Sequence, residues 1–263
     1  MTDCRNGFRT TSVQTRSLSG MLLQHTSGLP DTFEKLGTLL GAGLFPRSLW
    51  TPKELVVAHD KPLHFDPGTG WKYFNANYIF LGLILESVTG RPFNEILRRD
   101  TLGPNGLSET LFAPSDTIPP RLVSGFDRAL MPYPSEQQPT QLSWASLAYA
   151  SGAILPSAWD LSHFTRALFS GRIVTPQTLA RKIEFVPTEG AGAAWTGYGL
   201  GIVRCEIGGV EYRGHEGLFI GAEGYTVYSP AEVYYLSVIG NVSTFNHEKV
   251  VTELGRVIAN AVR

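Results

Sequence analysis

Two cysteines in 263 residues, Cys4 and Cys205, are too few and too far apart for a disulfide framework or a zinc site. Both read as free thiols, which suits a reducing compartment. No apolar run approaches the ~20 residues that span a bilayer. The strongest, Tyr78 to Leu85, stops well short. Lys and Arg (22) against Asp and Glu (23) leave a formal net charge of −1, so there is no electrostatic footprint for nucleic acid or an anionic membrane. Residues 1–21 form a polar N-terminal segment without the apolar core of a secretory signal. With neither signal nor membrane helix in these residues, a cytoplasmic location is the default expectation. No Gly-x-Ser-x-Gly elbow is present, and no metal, nucleotide or flavin motif, so neither a metal site nor a cofactor is expected.

What remains is ordinary globular composition: 43% hydrophobic and 17% charged residues. The length suits one large domain, or two lobes sharing a core. Gly28-Leu29-Pro30 marks a turn, and Asp31 with Glu34 three residues on predicts a helix start, running through Leu40. Pro52 opens a short helix over 52–57. An apolar helix is predicted over about Asn77 to Thr89, stopped by Gly90 and Pro92, with a second beginning at Phe93 and running to Arg99. Residues 103–142, rich in Pro and polar residues, read as a long irregular excursion. Asp160 caps a helix through about Phe169, and Pro176 opens another through about Ile183.

From Tyr198 the pattern changes to β-branched and aromatic runs separated by Gly or Pro turns. These predict three or four antiparallel strands. A closing helix over about His247 to Val262 carries apolar residues at Val250, Val251, Leu254, Val257, Ile258 and Val262, one face for the sheet. Helices, then strands, then a helix give an α+β architecture. The helical lobe spans about 30–150, and the sheet with its closing helix about 195–263.

Several strings, taken in this order, resemble the serine β-lactamase-like and penicillin-binding family. That family includes class C β-lactamases, D-Ala-D-Ala carboxypeptidases, D-aminopeptidases, esterases and acyltransferases. Leu22-Leu-Gln-His-Thr-Ser-Gly-Leu-Pro-Asp31 resembles its LLxHTSGLPD segment, and Pro67-Gly-Thr-Gly-Trp-Lys-Tyr-Phe-Asn-Ala-Asn-Tyr78 its PGxxWxYSNxxY stretch. Ser151-Gly-Ala-Ile154 through Asp160-Leu161, Tyr198-Gly-Leu-Gly201, Gly214-His-Glu-Gly217 and Asn241 complete the series. The resemblance covers about 22–263. It implies a β-lactamase/transpeptidase-like fold, an antiparallel sheet flanked by helices plus a mostly helical lobe.

The resemblance also implies a chemistry. In the family a serine attacks an amide or ester carbonyl and the acyl-enzyme is then resolved by water or another nucleophile. A lysine one helical turn after the serine and a tyrosine opposite share its proton. Tyr73 matches that tyrosine, which works only beside cations that favour its phenolate. Asn75 matches the amide that holds substrate and lysine. His215 sits where relatives carry Lys or His, Gly217 lets the strand approach the substrate, and the Leu218 N–H supplies one of two oxyanion donors. Tyr73, Asn75 and His215 are thus the expected catalytic residues, with Gly217 and Leu218 binding substrate. His25 and Ser27 belong to a loop that is scaffolding in relatives. Glu216 reads as solvated, and His64 and Asp66 as surface loop.

The departure is the nucleophile. No Ser-x-x-Lys occurs anywhere in the sequence; Thr32-Phe-Glu-Lys35 and Thr69-Gly-Trp-Lys72 come nearest and neither is in place. In relatives that motif, with the first strands of the sheet, lies upstream of the Leu22 loop. The expectation is therefore an incomplete chain, lacking the N-terminal strands and nucleophile helix and inactive alone. Its family-level function is serine hydrolysis or acyl transfer on a small amide, ester or peptide. Two alternatives stay open: a non-catalytic relative that binds through the inherited cleft, and a fragment that needs a partner chain.

Overall fold

The computed structural model describes residues 18–31, 49–57, 62–120, 122–127, 135–137, 142–188, 194–219, 221–242 and 244–262. Helix α1 (Leu18–Leu23) leads into the His25–Leu29 loop, and α2 (Pro52–Val57) precedes the long helix α3 (Asn75–Thr89). α3 begins two residues ahead of the start predicted from periodicity. The reason is tertiary: Asp31 accepts a hydrogen bond from the Asn75 backbone N–H at 3.2 Å, serving an end donor that Phe74, at the N-cap, has no side chain to serve. α4 (Phe93–Ile96) continues as a π-helical turn, Leu97–Leu102, and a 3-10 turn, Gly103–Asn105.

The predicted irregular excursion contains short paired pieces. β1 (Leu111–Phe112) pairs with β4 (Ile154–Leu155), and β2 (Gly125–Asp127) with β3 (Ser135–Gln137). α5 (Leu142–Ala148) packs into the lobe, where Leu55, Ile79, Phe112, Leu147 and Tyr149 form one buried cluster. α6 (Ala158–Phe169) is capped by Ser157, not by Asp160: the Ser157 hydroxyl accepts from the Asp160 N–H at 3.1 Å. Asp160 is buried instead, and its carboxylate takes the Glu109 N–H and the Thr110 hydroxyl, each at 2.8 Å. α7 (Pro176–Lys182) follows, with Thr175 as its cap.

The second lobe is one antiparallel meander of five strands, in chain order: β5 (Trp195–Tyr198), β6 (Val203–Ile207), β7 (Val210–Phe219), β8 (Ala222–Ser229) and β9 (Tyr234–Gly240). Three or four strands were expected. The extra one is β5, which lies ahead of the runs read from the sequence and is joined to β6 by a tight turn closed by Gly199 N–H donating to Ile202 O at 2.8 Å. The closing helix α8 (His247–Val262) falls where its periodicity places it, burying Val251 against Cys205, Tyr212, Val227 and Leu236. α6 covers the other face, through a Thr165–Thr226 hydroxyl contact of 2.6 Å and a Phe169–Tyr228 stack. Alternation along a strand then separates neighbours. His215, opposite Thr226, lies on the α6 side, and Glu216, opposite Tyr225, on the α8 side.

Cys4, the helix predicted from Asp31 through Leu40, and Thr32-Phe-Glu-Lys35 lie outside the described residues, Asp31 excepted. No described helix is long and apolar enough to cross a membrane.

Two glycines of β7 differ in what surrounds them. A Cβ on Gly214 would stand 1.9 Å from Thr226 O and 2.8 Å from Val227 Cα, whereas one on Gly217 would meet nothing within 4 Å. Gly214→Ala should therefore cost about 3 kcal/mol. Gly217→Ala should change stability by no more than ~0.5 kcal/mol. Urea unfolding of the two variants checks this, and equal losses would contradict the β7–β8 register.

Candidate active site

The N-terminal end of α3 brings Tyr73 against the sheet. Its ring packs on His25 (centroids 4.3 Å apart), Trp195 (5.8 Å) and His215 (6.1 Å). The two motif residues that sequence set 142 positions apart thus share one aromatic wall, Tyr73 from the helical lobe and His215 from β7. Asn75 sits one turn-start further on, its side-chain N–H₂ donating to Asp31 at 3.3 Å. β6 begins at Val203, opposite Gly214, so among the described residues His215 to Phe219 pairs with β8 on one flank only. Gly217 and Leu218, the latter 70% exposed, lie in that one-sided stretch. Such a flank is a strand edge that an extended ligand can line with main-chain hydrogen bonds.

Behind the wall runs a chain of buried hydrogen bonds. The Phe74 backbone N–H donates to His25 Nδ1 at 3.2 Å, and the Asn77 amide donates to the same nitrogen at 2.9 Å. A backbone N–H can only donate, so His25 Nδ1 is the bare nitrogen and Nε2 carries the proton. His25 Nε2–H then donates to the Tyr198 hydroxyl at 3.2 Å, which donates in turn to His215 Nε2 at 3.0 Å. His215 Nδ1–H closes the chain on the Glu216 carbonyl at 2.5 Å. Ser27 holds Asn77 from the other side, its hydroxyl donating to Asn77 Oδ1 at 2.5 Å. His25 and Ser27, both buried, hold the loop to the start of α3 through these bonds. Tyr198 and Trp195, which complete the wall, carried no signal in the sequence beyond lying in or beside the Tyr198-Gly-Leu-Gly201 string.

Charge at the wall is acidic. Burial, with Asp31 and Glu216 nearby, pushes the Tyr73 phenol up to about 12. Burial also pushes His25 down to about 3, with His215 adding to the fall, and lowers His215 itself. Glu216 departs from its expected solvated role. Its carboxylate lies 3.2 Å from His247 Nε2, while Glu223 engages His247 Nδ1, and the His247 ring stacks on Tyr225. These two carboxylates, Glu216 first, hold His247 above its ordinary value. His64 stacks on Phe74 at the surface, apart from the chain of bonds, and Asp66 O only closes the turn to Thr69. Among the described residues no cluster of His, Cys, Asp or Glu is arranged to hold a metal ion.

A helical lobe against a five-stranded antiparallel sheet, with Tyr-x-Asn and His-x-Gly strings meeting in the cleft between them, defines the β-lactamase/transpeptidase class of fold. The chain belongs to the Beta-lactamase family, which its sequence matches over residues 19–261. Over 195 residues it is 26% identical to a D-aminopeptidase of Cereibacter sphaeroides, covering 73% of this chain and 35% of that one. Over 93 residues it is 30% identical to a putative D-alanyl-D-alanine carboxypeptidase of Escherichia coli, covering 35% and 21%. The chain thus spans about a third or less of the length of these curated relatives. Its structure is similar to the D-amino acid amidase of Ochrobactrum anthropi at a TM-score of 0.80 and 25% identity, covering 93% of this chain and 72% of that one. A penicillin binding protein of Bacillus halodurans shares the fold at a TM-score of 0.71 and 21% identity, covering 89% and 71%.

The histidines set opposite pH limbs for stability. His25, depressed from 6.5 to about 3, refuses a proton that the unfolded chain accepts. Its contribution is present above pH 6.5 and lost as pH falls toward 3, at most roughly 5 kcal/mol. His215 acts in the same direction. His247 is raised, so its contribution is full below 6.5 and lost as pH rises through the folded value. The urea midpoint should peak near about pH 7 and fall on both sides, and His247→Gln should flatten only the alkaline limb. An unchanged alkaline limb in that variant would contradict the Glu216–His247–Glu223 clamp.

Proposed function

We propose that this chain forms the substrate-binding and proton-handling wall of a serine amidohydrolase that acts on amides of D-amino acids or short peptides through an acyl-enzyme. The observation that carries the reading is the meeting of Tyr73 and His215, ring centroids 6.1 Å apart, next to a strand stretch paired on one flank only. In this reading an extended substrate lies along His215 to Phe219. Gly217 gives it room, the Leu218 N–H serves the developing oxyanion, and Asn75 holds the amide end. The D-amino acid preference is taken from the relatives: a D-aminopeptidase and a D-amino acid amidase are among the proteins this chain resembles.

The same reading makes the 263 residues inactive alone. They contain no Ser-x-x-Lys. Among the described residues the charges that raise Tyr73 are acidic, Asp31 and Glu216, and a phenol held at about 12 is a poor base near neutrality. A lysine ammonium within ~4–6 Å would reverse that bias. The family's nucleophile and lysine must therefore come from residues outside this sequence. A fluorophosphonate or fluorescent penicillin should leave the 263-residue protein unlabelled, and D-phenylalanine amide should not be turned over. Adding a segment with Ser-x-x-Lys, fused or co-expressed, should restore labelling, and Tyr73→Phe should remove it again by at least ~100-fold. Labelling of a serine in the 263 residues would sink this reading.

A second reading, completion by another chain, is favoured by the sheet edge. Among the described residues no strand pairs with the outer flank of β9. Ile239 on β9 and Leu254 and Val257 on α8 are exposed. An open edge beside uncovered apolar residues is a pairing surface. Poor solubility of the chain alone, relieved by co-expression with a strand-bearing partner, is the expected result. A monodisperse monomer that unfolds cooperatively would count against it.

A further inference from the structure

We infer that Tyr198 and His25 are positioning residues that lock His215 as a neutral imidazole protonated on Nδ1, with neither ring nitrogen offered to the cleft. The chain of bonds fixes this by direction. It starts at the Phe74 N–H, inside the Tyr73-Phe74-Asn75 string, and ends at the Glu216 carbonyl, inside His215-Glu216-Gly217. Both ends are backbone groups. A backbone N–H only donates and a carbonyl only accepts, so the two ends fix which nitrogen of each neutral imidazole carries the proton. His25 Nε2–H faces Tyr198 at 3.2 Å, and the Tyr198 hydrogen lies between two acceptors, His215 Nε2 at 3.0 Å and the Tyr78 hydroxyl, whose own hydrogen goes to the Leu23 carbonyl. With Nδ1 already protonated, His215 Nε2 can only accept. His25 and Tyr198 are 0% and 1% exposed, so water does not compete for these bonds.

Two consequences follow. The chain orients but does not conduct, because a relayed proton would have to leave the Phe74 amide or lodge on the Glu216 carbonyl, and neither group exchanges one near neutrality. His215 therefore contributes an apolar ring edge and a fixed dipole to the wall, and proton transfer at the cleft falls to Tyr73. This deepens the proposed function, since it concerns the histidine of the same site, but its test needs no turnover. The titratable groups facing His215 are Tyr73 from the helical lobe, Tyr198 from β5, Glu216 from its own strand, and His25 beyond Tyr198.

The test is nitrogen-15 spectroscopy of the histidine rings in the 263-residue protein, with His215 assigned by His215→Gln. The expected wild-type spectrum shows a protonated Nδ1 and a bare Nε2 for His215, and the reverse pattern, a bare Nδ1 and protonated Nε2, for His25. Tyr198→Phe, which keeps the ring but removes the hydroxyl, should convert His215 to a mixture of tautomers. It should also raise its titration midpoint by roughly one pH unit, the equivalent of one lost hydrogen bond. His25→Gln should produce a smaller shift in the same direction, since Tyr198 is then held less firmly. A wild-type His215 protonated on Nε2, or unchanged His215 resonances in Tyr198→Phe, would overturn the inference. Should Tyr198→Phe fail to fold, the wild-type tautomers of His25 and His215 still decide it. Failure of acyl labelling leaves these resonances untouched, so the two claims fall separately.

Discussion

The wall depends on one constraint: a buried backbone amide at Phe74 must be satisfied, and it is satisfied by a ring nitrogen of His25. That requirement sets the His25 tautomer. The tautomer decides which way the Tyr198 hydroxyl turns, and the hydroxyl decides the protonation of His215. Two segments from different lobes are thereby tied to one geometry by the buried side chains of His25 and Tyr198. An unsatisfied amide at that depth would cost ~1–3 kcal/mol, which is why the loop carrying His25 is folded so tightly against α3. Asn77 from inside the helix, and Ser27 from the loop, reinforce the same point.

The electrostatics of the wall divide into a neutral layer and a charged one. His25, His215, Tyr73 and Tyr198 all sit in surroundings where burial opposes their ionised forms. Alternation along β7 places the charge one residue away and on the opposite face, where Glu216 meets His247 and Glu223. The strand that presents the cleft edge is thus fastened from behind by the His247 imidazole between two carboxylates, which favour its protonated form. A Tyr73 phenol in such surroundings holds its proton, and activating it requires a cation brought against it. The fold thus holds Tyr73 in a neutral layer and keeps the carboxylates of Glu216 and Glu223 on the opposite face of the sheet.

The same separation appears in how much of the site the sequence disclosed. Tyr73, Asn75, His215 and Gly217 were visible because short strings around them keep the order seen in the family, and strings survive as sequence. Tyr198 was visible only as a string and not as a partner, because a hydrogen bond between residues 17 positions apart on two strands leaves no periodic trace. Glu216 looked solvated because its ion-pair partner, His247, arrives from the start of the last helix, 31 residues away. Asp160 looked like a cap because Asp caps are common. The cap was Ser157, three residues earlier, and only the packing of the 109–110 loop shows why the carboxylate is buried.

What the sequence determined by itself was local: the apolar stripe that makes α8, the turn residues that separate the strands, the Gly/Pro stop after α3, and the absence of any Ser-x-x-Lys. These need only neighbours along the chain, so period and composition suffice to read them. The tertiary structure alone decided which tautomer His215 adopts, which face Glu216 takes, and that Gly214 is closed in while Gly217 stands open. Those depend on contacts between lobes, where a difference of a few ångströms selects one hydrogen-bond partner over another and no repeat along the chain records the choice.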